Sequence, residues 1–94
     1  MSKETENSIT QVMLDIEKML IEKNRAYGDS ALEPVRIFSK SNTTEQLYVR
    51  IDDKLSRIEG GHEYPGDDTI KDLIGYLVLL LIAKERDTNE RIQQ

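Results

Sequence analysis

From Leu73 to Ala83 the chain runs through eleven residues of which only Gly75 and Tyr76 are not aliphatic. A membrane-crossing helix needs about 20 apolar residues, so this run is too short to span a bilayer. A helix that is apolar all round has to be covered on every side. A chain of 94 residues, 37% of them hydrophobic, offers few neighbours for that task. Chains of this size bury only roughly 60–65% of the surface exposed on unfolding. The run is therefore expected at the centre of the fold, at a subunit interface, or at both.

The rest of the sequence fits helices around that element. Ser8 and Gln11 have the spacing of a capping box, and Ile9, Val12, Met13, Ile16 and Leu20 follow at intervals of three and four. The stripe ends at Lys23-Asn24, with a break at Tyr27-Gly28-Asp29-Ser30. A second capping box, Ser30 with Glu33, and Pro34 in a first turn predict a short helix over Ala31–Phe38. After a polar loop, Thr43 or Thr44 is expected to cap a helix from Glu45 to Glu59, which Gly60-Gly61 ends. Pro65-Gly66 marks a turn, and Asp67 or Asp68 caps the last helix. The expected fold class is all-α: a small helical bundle of three long helices and one short one, self-associated. Residues 1–7 read as a flexible N-terminus, 8–86 as a single domain, and 87–94 as a polar C-terminal extension.

Composition removes several function classes. Eighteen Asp+Glu against thirteen Lys+Arg give a net charge of −5, which argues against DNA or RNA as a partner. The absence of Cys removes disulfides, zinc–thiolate sites and thiol nucleophiles, and a single His disfavours a Ser-His-Asp triad. The opening residues carry no secretory signal pattern, so a cytoplasmic protein without a membrane partner is expected. Gly60-Gly61 lacks the Lys-Ser/Thr of a P-loop, and His62 sits in a loop with no second ligand in view.

Three polar clusters carry possible chemistry. Lys23-Asn24-x-x-Tyr27-Gly28-Asp29-Ser30 offers a cation, an amide and a stacking face, although spacing alone favours the simpler account, a Lys near a helix C-terminus and a Gly-centred turn. Arg50, Asp53, Lys54 and Arg57 share one helical face, as a phosphate-binding comb or as solvated ion pairs. Asp68 and Asp72 stand one turn apart, as hard oxygen ligands for Mg²⁺ or as acidic residues favoured in a first turn. A carboxylate at the edge of so apolar a helix needs a partner, and Lys54, Arg57 or a metal would serve.

In order along the chain, Lys23-Asn24-x-x-Tyr27-Gly28-Asp29-Ser30, Val49-Arg50-Ile51-x-Asp53-Lys54-Leu55-x-Arg57-Ile58 and Asp68-x-x-x-Asp72-Leu73-Ile74-Gly75-Tyr76 resemble the nucleotide-modification-associated domain family of bacteriophages and prophages. That family is similar in turn to all-α nucleoside triphosphate pyrophosphatases of the MazG type, which hold Mg²⁺ with Glu-x-x-Glu on one helix and Glu-x-x-Asp on another. Here the middle helix has Asp52, Asp53 and Glu59, and the last has Asp68-x-x-x-Asp72. The resemblance implies a nucleotide as ligand. Lys23, Asn24, Tyr27, Asp29, Arg50, Lys54 and Arg57 are the expected binding residues. The first expectation is a phage-type homo-oligomer that sequesters a nucleotide or a nucleotide-derived immune signal in the host cytoplasm. The alternative is a Mg²⁺-dependent (d)NTP pyrophosphohydrolase, with Asp53, Asp68 and Asp72 on the metal.

Overall fold

A computed structural model describes residues 2–63, 65–66 and 68–93. Its elements are three α-helices: α1 (Lys3–Tyr27), α2 (Thr43–Gly60) and α3 (Thr69–Gln93). The described residues contain no strand. Both α1 and α2 pack on α3, and among the described residues they do not pack on each other. The helix that carries the aliphatic run is thus the common support of the fold, but the run is not covered on every side, since Leu77 and Leu81 stay exposed.

Four hydrophobic side chains are buried among the described residues: Ile16 from α1, Leu47 and Ile51 from α2, and Ala83 from α3. Gly75 is buried where α1 crosses α3. A Cβ there would stand 2.8 Å from Leu20 Cδ2 and 3.4 Å from Met19 Cε, so the close approach depends on the missing side chain. Even so, the packing is open. The radius of gyration is 15.5 Å, against about 12 Å expected for a compact chain of this length. Ile9, Met13, Leu14 and Ile21 on α1 and Leu77 and Leu81 on α3 remain more than two-fifths exposed.

Several boundaries differ from expectation. The first helix starts not at Ser8 but at Lys3, where Ser2 Oγ accepts the Thr5 amide at 3.1 Å and Glu4 and Glu6 sit in the favourable first turn. Residues 3–7 are good helix formers without Gly or Pro, so the helix extends past its apolar stripe. Asn42, rather than Thr43 or Thr44, caps α2 by accepting the Glu45 amide at 2.8 Å. Thr43 instead donates its hydroxyl to the Leu32 carbonyl at 3.3 Å and accepts from Arg36 at 3.1 Å. Gly61, left-handed, ends α2 as expected. Asp68 caps α3 by accepting the Lys71 amide at 3.0 Å, whereas Asp67, the other expected cap, lies outside the described residues. At its far end α3 continues through residues 87–93.

The short helix over Ala31–Phe38 does not form. The amides of Leu32 and Glu33 bond the Asp29 carbonyl at 3.1 and 2.8 Å, and there the turn stops. Pro34 disfavours a helical residue before it and brings no N–H of its own. Beyond it Val35, Ile37 and Phe38 are between 76% and 95% exposed, so no burial offsets the cost of nucleating a helix. Arg36 instead closes the loop by donating to the Ser41 carbonyl at 3.1 Å.

Candidate functional site

Because α1 and α2 lean on α3 rather than on each other, a cleft opens between them with α3 as its floor. Its volume is about 340 Å³, within the range of small-molecule sites. Lys23, Asn24 and Tyr27 come from the last turns of α1, Arg50 from α2, and Asp72, Gly75 and Tyr76 from α3. Two successive left-handed residues, Gly28 (φ 61°) and Asp29 (φ 62°), end α1 and turn the chain so that Ser30 and Ala31 close one side. Asp tolerates that conformation better than most residues. Asn24 Nδ2 also donates to Asp29 Oδ1, holding the turn against the helix. Met19, Leu20 and Leu79 make the apolar lining.

The electrostatic centre is Asp72. Its carboxylate is mostly buried and joins all three helices: Lys23 Nζ reaches Oδ1 at 2.9 Å, and Lys54 Nζ reaches Oδ2 at 3.4 Å. The hydrogen bond from Lys23 to Asp72 raises the Lys23 pKa above its ordinary value, more than partial burial lowers it. A folded-state pKa above the unfolded one gives stability that is whole below the unfolded value and is lost as pH rises through the folded one. Thermal stability is therefore expected to fall on alkaline titration above about pH 10.5, the ordinary lysine value. In Lys23→Met, melting followed by circular dichroism should lose that part of the pH dependence, whereas an unchanged profile would remove Lys23 from the account.

In the same cleft, the Arg50 guanidinium lies over the Tyr76 ring, 5.9 Å from its centre. Arg50 and Tyr76 also line a second hollow of about 610 Å³, which holds Asp53, Lys54, Arg57, Ser39 and Ser41. Across the cleft and the adjoining hollow, Lys23, Arg50, Lys54 and Arg57 oppose Asp53 and Asp72, and the sum stays positive with Asp29 included. In a chain of net charge −5 this is a local cationic site. Tyr27, 70% exposed, leaves a ring face free for stacking.

The expected binding residues fall into two groups. Lys23, Asn24, Tyr27 and Arg50 meet in the cleft, with Asp29 held beside them by Asn24. Lys54 and Arg57 line the adjoining hollow, where Arg57 pairs with Asp53 at 3.4 Å. The conditional metal set does not assemble: Asp72 is held by two lysines, Asp53 faces Arg57, and Asp68 Oδ1 accepts the Lys71 amide. Among the described residues no group of three or more His, Asp or Glu side chains is placed to hold a metal ion. Among the described residues, Asp53, Asp68 and Asp72 therefore do not form the Mg²⁺ cage that the resemblance implies.

Gly75 and Tyr76 were not expected as site residues. Their signal lay in plain view, because they are the only two interruptions of the aliphatic run, and both face the cleft. Met19 and Leu20 read simply as stripe residues. No family model, no curated protein and no solved structure matches the chain. No described helix is long and apolar enough to cross a membrane.

Proposed function

We propose that the protein binds a nucleotide or a nucleotide-derived signal in this cleft and retains it intact, acting as a self-associated, phage-type sequestering protein. The observation that carries this reading is a cationic, aromatic-walled cleft in an otherwise acidic chain. A nucleotide needs both a π-face for its base and donors for its phosphates. Tyr27 is the exposed ring, Asn24 lines the cleft as a polar group for a base edge with Asp29 bonded beside it, and Arg50, together with the donors that Lys23 keeps beyond its bond to Asp72, serves phosphate oxygens. Lys54 and Arg57 extend the donors into the adjoining hollow for a ligand with more than one phosphate. The three ordered blocks, through their resemblance to the nucleotide-modification-associated domain family, favour the same ligand class. Retention is favoured over hydrolysis because the carboxylates needed for metal are engaged by lysines, an arginine and a backbone amide.

Calorimetric titration with ATP, dTTP and cyclic di-AMP, followed by recovery of the ligand, tests the reading. Micromolar binding of at least one, recovered unchanged in the presence of Mg²⁺, is the expected result. Absence of binding by all three ends it. Pyrophosphate release that is lost in Asp72→Asn would replace retention with the Mg²⁺-dependent hydrolase.

A further inference from the structure

The geometry points to α1 as the self-association surface: a second copy's α1 lies antiparallel in the groove between α1 and α3. This inference rests on the self-association just proposed and names its surface. The groove has a volume of about 740 Å³ and is mainly apolar, with Met13, Leu14 and Ile21 on one wall and Val78, Leu79 and Ile82 on the other. No segment of the described chain covers it. The apolar residues of α1 exceed what contact with α3 uses. Ile16 is buried against the fold, whereas Ile9, Met13, Leu14 and Ile21 stay between 44% and 55% exposed. A 25-residue helix with its first thirteen residues unburied gains little from its own chain.

Charge selects the occupant and its direction. The first part of α1, residues 3–17, carries Lys3 against Glu4, Glu6, Asp15 and Glu17, a net charge of −3. Residues 18–27 carry Lys18, Lys23 and Arg25 against Glu22, a net charge of +2. Two such helices side by side in parallel set like charges together. Antiparallel, each acidic beginning meets a basic end, and the two helix dipoles oppose as well. Crossing at mid-helix brings Glu6 of one copy within a turn of Arg25 of the other, and Arg25 lines the groove. The same two-fold arrangement buries both copies of the exposed apolar face at once, as an isologous contact does. The start of each α1 then stands beside the other copy's Lys23–Tyr27 segment, at the edge of the nucleotide cleft.

Light scattering after size exclusion tests the surface. The wild-type mass is expected to be an even multiple of 10.8 kDa. Leu14→Glu with Ile21→Glu, both at exposed positions, should halve that mass while the helical circular dichroism is kept. Leu81→Glu, on the outer side of α3, should not. If the double variant loses its helical signal, the charge pair decides: Glu6→Lys and Arg25→Glu each weaken association about three- to tenfold, and their combination restores it. A wild-type mass of 10.8 kDa at every concentration overturns both this surface and self-association. Assembly that survives Leu14→Glu/Ile21→Glu but is lost in Leu81→Glu, or a charge pair that shows no rescue, overturns the surface alone.

Discussion

Asp72→Ala is expected to lower stability by about 2–4 kcal/mol. Asp72 ties α1, α2 and α3 through one side chain. Removing it leaves the Lys54 ammonium, 11% exposed, without its carboxylate. Breaking a well-buried pair costs about 3–5 kcal/mol, because the remaining charge stays desolvated. Some residual solvent at Lys54, and the half-exposed position of Lys23, reduce that figure here. For a domain with about 5–15 kcal/mol of total stability, the loss shifts the melting temperature by roughly 10 °C or more. Denaturant unfolding of the wild type and variant measures it. The second substitution Lys54→Met in the Asp72→Ala background should recover part of the loss, since it removes the stranded charge. A fall below about 0.5 kcal/mol, or no recovery, would show that the three-helix tie contributes little.

Arg50→Ala is expected to weaken nucleotide binding about 10- to 100-fold while leaving the fold in place. Arg50 is exposed, pairs with the Tyr76 ring and borders both hollows, so it is the donor common to every phosphate path. A charge-assisted bond to phosphate contributes about 1.5–3 kcal/mol, which is that range of affinity. Arg50→Lys should restore only part of it, because the ammonium lacks the bidentate fork. Titration with whichever of ATP, dTTP or cyclic di-AMP binds the wild type reads both variants. An Arg50→Ala affinity equal to wild type would move the phosphates away from this wall.

The elements were legible where one physical cause dominates. An aliphatic run with no charged residue from Leu73 to Ala83 has to be central, and α3 is the helix on which the others pack. Gly28 and Gly61 end helices in left-handed conformations because a side chain there is strained. Boundaries set by competing polar caps were less legible. Ser2 and Ser8 have similar local claims, and the polar, helix-favouring stretch between them carries no apolar period to decide. Over residues 31–38 the local pattern of Ser30, Glu33 and Pro34 favours a helical turn. No tertiary surface receives Ile37 or Phe38, so the helix goes no further.

The site was legible as separate blocks rather than as a geometry. Lys23, Asn24 and Tyr27 share the last turns of α1 by sequence alone, but the gap that α1 and α2 leave over α3 is a tertiary fact. The same gap turns Asp72 from a candidate metal ligand into a partner of two lysines. Tyr76 escaped because a tyrosine in an aliphatic helix reads as core until the neighbouring Arg50 is seen above its ring.

The location of binding is read most directly by backbone amide NMR during titration with the nucleotide that calorimetry selects. A nucleotide held in the cleft should shift the amides of Lys23, Asn24, Tyr27, Arg50, Gly75 and Tyr76 together and saturably. Shifts confined to other surfaces, or none at saturating ligand, would contradict it.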